Sequence, residues 1–401
     1  MIITDKKRVE EILNRGVIVQ VLPTLDEFKK RLLSGDKLRF YIGADPTSTA
    51  LHLSHAKNYM LLEEFRQLGH EVIVLIGDFT ARIGDPSGKA SARQQLSRAD
   101  VLRNVKSWER QIKPLLDFSA KKNPPLIKYN HDWLAKLTME DVINLASNVT
   151  VQQMLERDMF QKRLKEEKPI YLHEFMYPLM QGYDSVAMDV DVEMCGTDQI
   201  FNALVGRTLL KKFKNKDKFV VAVNLMENPV TGELMSKSKG TGIFLDFSAE
   251  DMYGAIMSQP DEMIKVFLVN NTRLPLAGID KLIKEKNPRD AKMFTAYEVT
   301  KIFHGEKGAV ASQESFIKKF QKKETPDDLP EVKIGAVSAT LFDILKKCLA
   351  ETSNSDIRRL IVQGAVKVGE VAGKNLEEIV EIPTAGVIIK VGKRQWFKVV
   401  K

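Results

Sequence analysis

The sequence predicts an α/β fold: an open parallel sheet wrapped by helices, then an α-helical domain, then a small α+β domain. Three observations carry this. Continuous apolar runs alternate with long helical patterns over the first part of the chain, as they do when crossover helices link buried parallel strands. Past Phe247 no strand candidate appears before the C-terminal region. A polar stretch with two prolines, "QKKETPDDLPEVKIGA" (321–336), precedes that region and reads as a linker. The expected divisions are 1–246, 247–322, a linker over 323–336 and a last domain over 337–401.

"KLRFYIGAD" (37–45) reads as a strand that ends in glycine and aspartate. A helical pattern follows from about Leu53, with Leu61, Leu62 and Phe65 on one side, and Gly69 stops it. "EVIVLIG" (71–77), "LIKYN" (126–130) and "FVVAVNLM" (219–226) supply further buried strands. In such sheets a ligand lies beyond the carboxyl ends of the strands, where the glycine-rich turns of this sequence stand. "AEDMYGAIMSQPDEMIKVFLVNN" and the run from Asn287 to Phe320 are helical by pattern. The C-terminal part offers one amphipathic stretch, "DIRRLIVQGAVKV", then "AGVIIKVG" and "RQWFKVVK" as short β-like runs.

Composition narrows the class. Hydrophobic residues at 44% and charged residues at 28% fit a soluble globular protein. No apolar run reaches the ~18 residues of a membrane span, and charge interrupts the N-terminus where a signal peptide needs an apolar core. Cys195 and Cys348 stand far apart, so neither a disulfide framework nor a thiolate metal site is expected. A cytoplasmic home follows. The net charge of +8 is uneven: residues 337–401 hold 11 Lys+Arg against 7 Asp+Glu, and "LLKKFKNKDKF" (209–219) is a second basic cluster. Basic patches attract polyanions; a solvated face is the other reading.

Five segments hold chemistry-bearing residues. In "YIGADPTSTALHLSH" (41–55), Pro46 and Thr47 break the strand and a helix starts near His52. A helix start suits phosphate, and histidines there can donate to phosphate oxygens as charge builds up. Two histidines on a solvated first turn is the competing reading. Zinc on a helix prefers i, i+4 with a glutamate between, so spacing of three disfavours metal, and no metal site is expected. "IGDFTARIGDPSGKASAR" (76–93) is a glycine-rich turn with Lys89 and Arg93 placed to meet a leaving phosphate, or else a plain turn. It fits no Walker A frame. "YPLMQGYD" (177–184) puts Tyr177, Gln181 and Asp184 at i, i+4 and i+7, one face of a helix; a polar ligand and solvent compete as their partner. "CGTDQ" (195–199) is another strand end, suited to a ribose hydroxyl or an ammonium. "ELMSKSKG" (233–240) sets Lys237 and Lys239 among serines and glycine, able to meet a triphosphate or simply exposed.

Together, in order and in spacing, these segments resemble bacterial tyrosyl-tRNA synthetases of the class I family along essentially the whole chain. "LHLSH" is similar to the His-Ile-Gly-His signature and "LMSKS" to the Lys-Met-Ser-Lys-Ser loop. "IGDPSGK", "YPLMQGYD" and "GTDQ" resemble that enzyme's amino-acid pocket. The resemblance implies a Rossmann-like catalytic domain (1–246), a helical anticodon-binding domain (247–322) and a small RNA-binding domain (337–401) like a ribosomal small-subunit protein. It also implies activation of L-tyrosine with ATP, magnesium carried by the ATP, transfer to tRNA(Tyr), and a homodimer.

By the same resemblance, Tyr41 and Asp184 hold the phenol hydroxyl, and Gly43 and Asp45 line the pocket, Asp45 near the reacting carboxyl. Asp85, Tyr177 and Gln181 take the ammonium and Gln199 the carboxylate. Asp198 reaches the ribose. Thr47, His52, His55, Lys89, Arg93 and Lys237 grip the triphosphate, with Met235 and Lys239 also on the nucleotide side. Attack of a carboxylate on the α-phosphate needs positioning and charge stabilisation more than a protein nucleophile, which agrees with this inventory. Two residues depart from the signatures. Ser54 stands in place of glycine, so slightly weaker ATP binding is expected. Leu234 stands in place of the loop's first lysine, and Lys239 is expected to substitute for it. Tryptophanyl-tRNA synthetase, which shares the fold, is the nearest alternative; a non-catalytic RNA-binding protein on the same scaffold is another. "IGDPSGK", the Tyr41/Asp184 pair and the C-terminal domain oppose the first. The intact set Asp85, Gln181, Asp184 and Asp198 opposes the second.

Overall fold

The computed structural model describes residues 1–85, 97–235, 241–321, 329–369, 371–373, 375–392 and 395–401, the side chains of 320 and 321 excepted. Lys89, Arg93, Lys237 and Lys239 lie outside them. The chain forms two compact units, Met1–Ser312 and Gln313–Lys401.

The first unit is organised by a six-stranded sheet: β1 (Ile18–Leu22), β2 (Arg39–Ala44), β3 (Glu71–Ile76), β4 (Leu126–Tyr129), β5 (Val192–Gly196) and β6 (Phe219–Val223), in the order β1-β6-β5-β2-β3-β4. β2 to β6 run parallel. Phe40, Val72, Ile73, Val74, Val192, Val220 and Val221 on the inner strands are almost wholly buried, which is why these strands read as continuous apolar runs. β1 adds an edge that the sequence reading did not contain: it pairs antiparallel with β6. Gln20 breaks the apolar run that would have marked it, and Val19 and Gln20 are both exposed.

The winding of the chain across the sheet reverses between β2 and β5, since β3 lies on one side of β2 and the later strands on the other. A crevice opens at the carboxyl ends of strands at such a point. Here that edge carries Asp45 after β2, Gly77 after β3 and Gly196 at the end of β5. Helix Leu53–Gln67 follows β2, and helix Leu172–Met188 lies against helix Ile200–Lys214.

Helices Ala249–Met257, Met263–Asn271, Leu276–Glu285 and Pro288–Phe316 follow the sheet, the last interrupted at Gly305. They belong to the first unit. Arg15 donates to the carbonyls of Val269 and Leu274 at 2.9 Å each, and Asn271 Nδ2 donates to the Leu53 carbonyl at 2.8 Å. The start of the histidine-bearing helix is thus anchored from the helical segment.

In the second unit, β7 (Glu331–Lys333), β9 (Val366–Val368), β10 (Val371–Ala372), β12 (Val387–Val391) and β13 (Gln395–Val400) form a sheet in the order β10-β9-β12-β13-β7, and β8 (Ser338–Thr340) pairs with β11 (Ile379–Glu381). Helices Leu341–Cys348 and Asn354–Val362 cover a core of Leu341, Ile344, Leu345, Ile357, Ile361, Val366, Ile389 and Val399. The stretch expected as linker therefore ends in a strand: β7 runs parallel to β13. One apolar residue between two charges gave no sequence signal for it.

Candidate active site

The loop from Asp45 to His52 is held from outside. Helix Arg98–Ile112 presents Asn104, Trp108 and Gln111 along one face. Asn104 Nδ2 donates to the Pro46 carbonyl, Trp108 Nε1 to that of Ser48 and Gln111 Nε2 to that of Thr49, each at 2.8 Å. Gln111 Oε1 also accepts from the Leu51 N–H at 2.8 Å. A loop without regular partners needs its backbone groups satisfied in some such way. The clamp leaves Thr47 exposed on the cavity and delivers His52 to the helix start. From below, Leu53 N–H bonds the Ile243 carbonyl at 3.0 Å and Leu245 N–H the Leu51 carbonyl at 2.9 Å. The chain beyond 240 is thereby tied to the histidine segment. On the other side of that loop, Met235 is buried and its N–H bonds the Met226 carbonyl at 2.9 Å.

His52 is the N-cap of helix Leu53–Gln67 and His55 sits one turn in, with ring centroids 3.9 Å apart. His52 N–H donates to His55 Nδ1 at 3.2 Å. That bond requires an unprotonated Nδ1, so neutral His55 holds its proton on Nε2 and is a donor there. Burial pushes His52 down to about 4 and His55 to about 3, the second also by the neighbouring ring of His52. Both are neutral near pH 7. His52 Nδ1 is buried with no hydrogen-bond partner. Lys57 lies on the same helix, buried, and donates to Asn58 Oδ1 at 2.8 Å. Burial lowers it to about 7, against the pull of Asp198.

Helix Leu172–Met188 supplies the opposite wall. Tyr177 and Asp184 are buried, which removes solvent as the partner of that polar face. Tyr177 O–H donates to Asp45 Oδ2 at 2.9 Å, and Thr80 Oγ1 donates to Asp45 Oδ1 at 2.7 Å. Burial lifts Asp45 to about 7 in spite of these two bonds. Gly77 makes that arrangement possible, because a Cβ there would overlap Asp45 Oδ1 and Thr80 Oγ1. Asp184 accepts from Trp133 Nε1 at 2.7 Å and from Asn130 Nδ2 at 3.3 Å, and burial pushes it well above the usual carboxylate range. Tyr41 O–H and Ser185 Oγ are 2.9 Å apart.

At the mouth, Gln199 Nε2 donates to Asp85 Oδ2 at 2.7 Å, and Asn202 Nδ2 donates to Gln199 Oε1 at 2.8 Å and to Gln181 Oε1 at 3.0 Å. Asp198 is exposed at the end of β5.

All of these converge on one cavity of about 780 Å³. Tyr41, Gly43, Asp45, Thr47, His52, His55, Asp85, Tyr177, Gln181, Asp184, Asp198, Gln199 and Met235 line it, as do the two departures Ser54 and Leu234. The sequence reading missed Glu193, Asn130, Thr80 and Lys57, which line it too, and Trp133, Ser185 and the clamp behind. The clamp had a signal: positions 104, 108 and 111 share a helical face. Glu193 had none, being a single charge on a strand, and Lys57 none, being one more polar residue in the first turns of a helix.

The cavity has a polar floor and, at its other end, a helix start with two neutral histidines. The family described as tRNA synthetases class I (W and Y) matches residues 33–321. A tyrosine–tRNA ligase from Carboxydothermus hydrogenoformans is 42% identical over 100% of this chain and 99% of its own. Those from Thermotoga maritima (42%, covering 97% and 96%) and Haemophilus influenzae (41%, covering 99% and 98%) are similar throughout as well. The chain belongs to the tyrosine–tRNA ligase family of class I synthetases. Solved synthetase structures share its fold. A C-terminally truncated mitochondrial tyrosyl-tRNA synthetase from Aspergillus nidulans gives a TM-score of 0.67 at 23% identity, covering 78% of this chain and 94% of that one. A tyrosyl-tRNA synthetase from Archaeoglobus fulgidus, solved with L-tyrosine, gives 0.59 at 17%, covering 77% and 99%.

Proposed function

We infer that the protein is a tyrosine–tRNA ligase. It activates L-tyrosine with ATP, releases pyrophosphate, and passes tyrosine to the 3′ end of tRNA(Tyr). The observation that carries the amino-acid assignment is the closed polar floor of Tyr41, Asp184, Tyr177 and Asp45, set on two elements at the switch point of the sheet. Phenylalanine leaves the bonding capacity that Tyr41 and Asp184 turn to a phenol hydroxyl unused, which costs about 1–3 kcal/mol for each neutral group.

In this reading the phenol lies between Tyr41 and Asp184. Asp85, Tyr177 and Gln181 receive the ammonium, Gln199 the carboxylate, and Gly43 and Asp45 line the path to the reacting centre. Asp198 meets the ribose. The carboxylate attacks the α-phosphate directly, so the protein's task is to align the two and to stabilise charge as pyrophosphate leaves. Neutral His55, with its proton on Nε2, donates a hydrogen bond to phosphate without needing to be charged. Thr47 and His52 act beside it. Lys89, Arg93, Lys237, Lys239 and Met235 complete the nucleotide side by resemblance. Magnesium comes in with ATP. Such an ion is held largely by phosphates and water.

The helical segment 247–322 and the basic domain 337–401 bind the tRNA. The protein works as a cytoplasmic homodimer. Support for the dimer comes from exposed Met139, Ile143 and Val151 on the helices that follow edge strand β4. Among the described residues no helix is long and apolar enough to cross a membrane. Pyrophosphate exchange into ATP, with each amino acid offered alone, tests the assignment. Exchange with tyrosine only is expected; exchange with tryptophan, or with none, overturns it.

A further inference from the structure

Beneath the amino-acid floor lies a set of charges that the reading above does not use. Lys218, just before β6, and Glu193, on β5, form an ion pair with side chains 0% and 2% exposed. Such a pair is costly to bury. Lys218 Nζ also donates to Ser185 Oγ at 2.6 Å and lies 5.8 Å from the Tyr41 ring centroid. A Cβ at Gly206 would crowd both Lys218 Nζ and Ser185 Oγ.

We propose that Lys218, Glu193 and Ser185 form a positioning relay that fixes which way the hydrogen bonds of the tyrosine pocket point. The inference rests on the pocket being a tyrosine site and concerns how that site is set.

At one end the relay fixes Gln181. Gln181 Nε2 donates to Glu193 Oε1 at 3.0 Å. An ionised carboxylate only accepts, so the amide nitrogen must face Glu193 and the amide oxygen must face away. Asn202 Nδ2, donating to Gln181 Oε1 at 3.0 Å, imposes the same orientation independently. The oxygen keeps a second lone pair for the substrate ammonium. A neutral Glu193 could donate instead, and the amide would lose its fixed sense. Lys218 holds the other carboxylate oxygen, Oε2, in the ion pair.

At the other end the relay fixes Tyr41. Lys218 has only donors, so it occupies one lone pair of Ser185 Oγ. Ser185 has a single hydrogen to give. Tyr41 oxygen lies at 2.9 Å and Glu193 Oε2 at 3.4 Å, and the shorter contact is the better one for a hydroxyl donor. Ser185 therefore donates to Tyr41, and the Tyr41 proton, which Glu193 also attracts, is the one a hydroxyl in the cavity can take. A substrate with an ammonium at one end and a hydroxyl at the other meets an acceptor and a donor already in place.

Pyrophosphate exchange with purified full-length protein tests this, using Ser185→Ala and the neutral double variant Lys218→Met/Glu193→Gln, which leaves no orphan charge. The double variant should raise the KM for tyrosine about tenfold, the loss of one hydrogen bond of ~1.4 kcal/mol, and leave the KM for ATP within about twofold of wild type. Ser185→Ala should lower the tyrosine-to-phenylalanine ratio of kcat/KM about tenfold for the same reason. Parallel changes in both substrates, or an unchanged ratio in Ser185→Ala, would mean a structural role only and overturn the relay. If the double variant does not fold, Ser185→Ala decides alone. A wild-type protein without tyrosine-dependent exchange overturns the underlying assignment; a tyrosine-dependent wild type with unmoved variants overturns only the relay.

Discussion

The two ends of the cavity are built on different plans. At the amino-acid end, Asp45, Asp184, Tyr177, Tyr41 and Gln181 all bond to other side chains before any ligand is present. At the end proposed for the nucleotide, His52 Nδ1 is a buried orphan, His52 and His55 are forced neutral, and Thr47 and Asp198 stand exposed. The contrast teaches how one pocket divides its work. Selectivity needs groups whose partners are fixed in advance, because an unsatisfied buried group is what penalises the wrong substrate. Grip on a triphosphate needs donors whose interactions strengthen as charge develops.

Breaking the first plan should give the largest effect. Gly77→Ala drives a methyl group into Asp45 and Thr80, so the floor shifts as a unit. Tyrosine-dependent exchange should fall by roughly 100-fold or more in kcat/KM, about 2.7 kcal/mol or more, while circular dichroism stays native. An unchanged KM for tyrosine would show that Asp45 does not set the floor.

The second plan is tested at His55. His55→Ala should reduce kcat for activation by about 30- to 100-fold, the usual cost of a donor to developing charge. His55→Gln should recover part of the loss, because its amide N–H can take the place of Nε2–H. Equal loss in both variants would argue that the ring itself, not its proton, matters. A smaller effect is expected behind the site. Gln111→Ala releases two of the bonds that hold residues 49 and 51, and should raise the KM for ATP about tenfold, ~1.4 kcal/mol, with the KM for tyrosine unmoved.

The smallest effect is on stability. An unfolded histidine takes up a proton near 6.5, whereas His52 and His55 resist protonation down to about 4 and 3. Below 6.5 the unfolded state therefore binds protons that the native state does not. The contribution of the pair is whole above pH 6.5 and is lost as the pH falls from there toward 4. Thermal melts should show a fall in Tm over that window, shallower in His52→Asn/His55→Gln.

Legibility followed the same division. Tyr177, Gln181 and Asp184 were readable as one polar face of an apolar helix, open to a ligand or to solvent, and burial of the first and last removes solvent. The buried strands were readable because both their faces are covered. Glu193 and Lys218 were not, since each is a lone charge beside or within a buried strand and its partner lies 25 residues away. β1 was hidden by its exposed edge, and β7 by its length of 3 residues. Asn104, Trp108 and Gln111 share a face, yet an amphipathic helix with charged neighbours gives no reason to choose those three before the loop they clamp is seen.

The central claim is that the amino-acid end is complete without the nucleotide. Titration of the ATP-free protein with tyrosine, followed by calorimetry, tests it most directly. The account predicts saturable tyrosine binding in the absence of ATP, with phenylalanine failing to bind at the same concentrations. Tyrosine binding that appears only after ATP is added, or phenylalanine binding equally well, would contradict it.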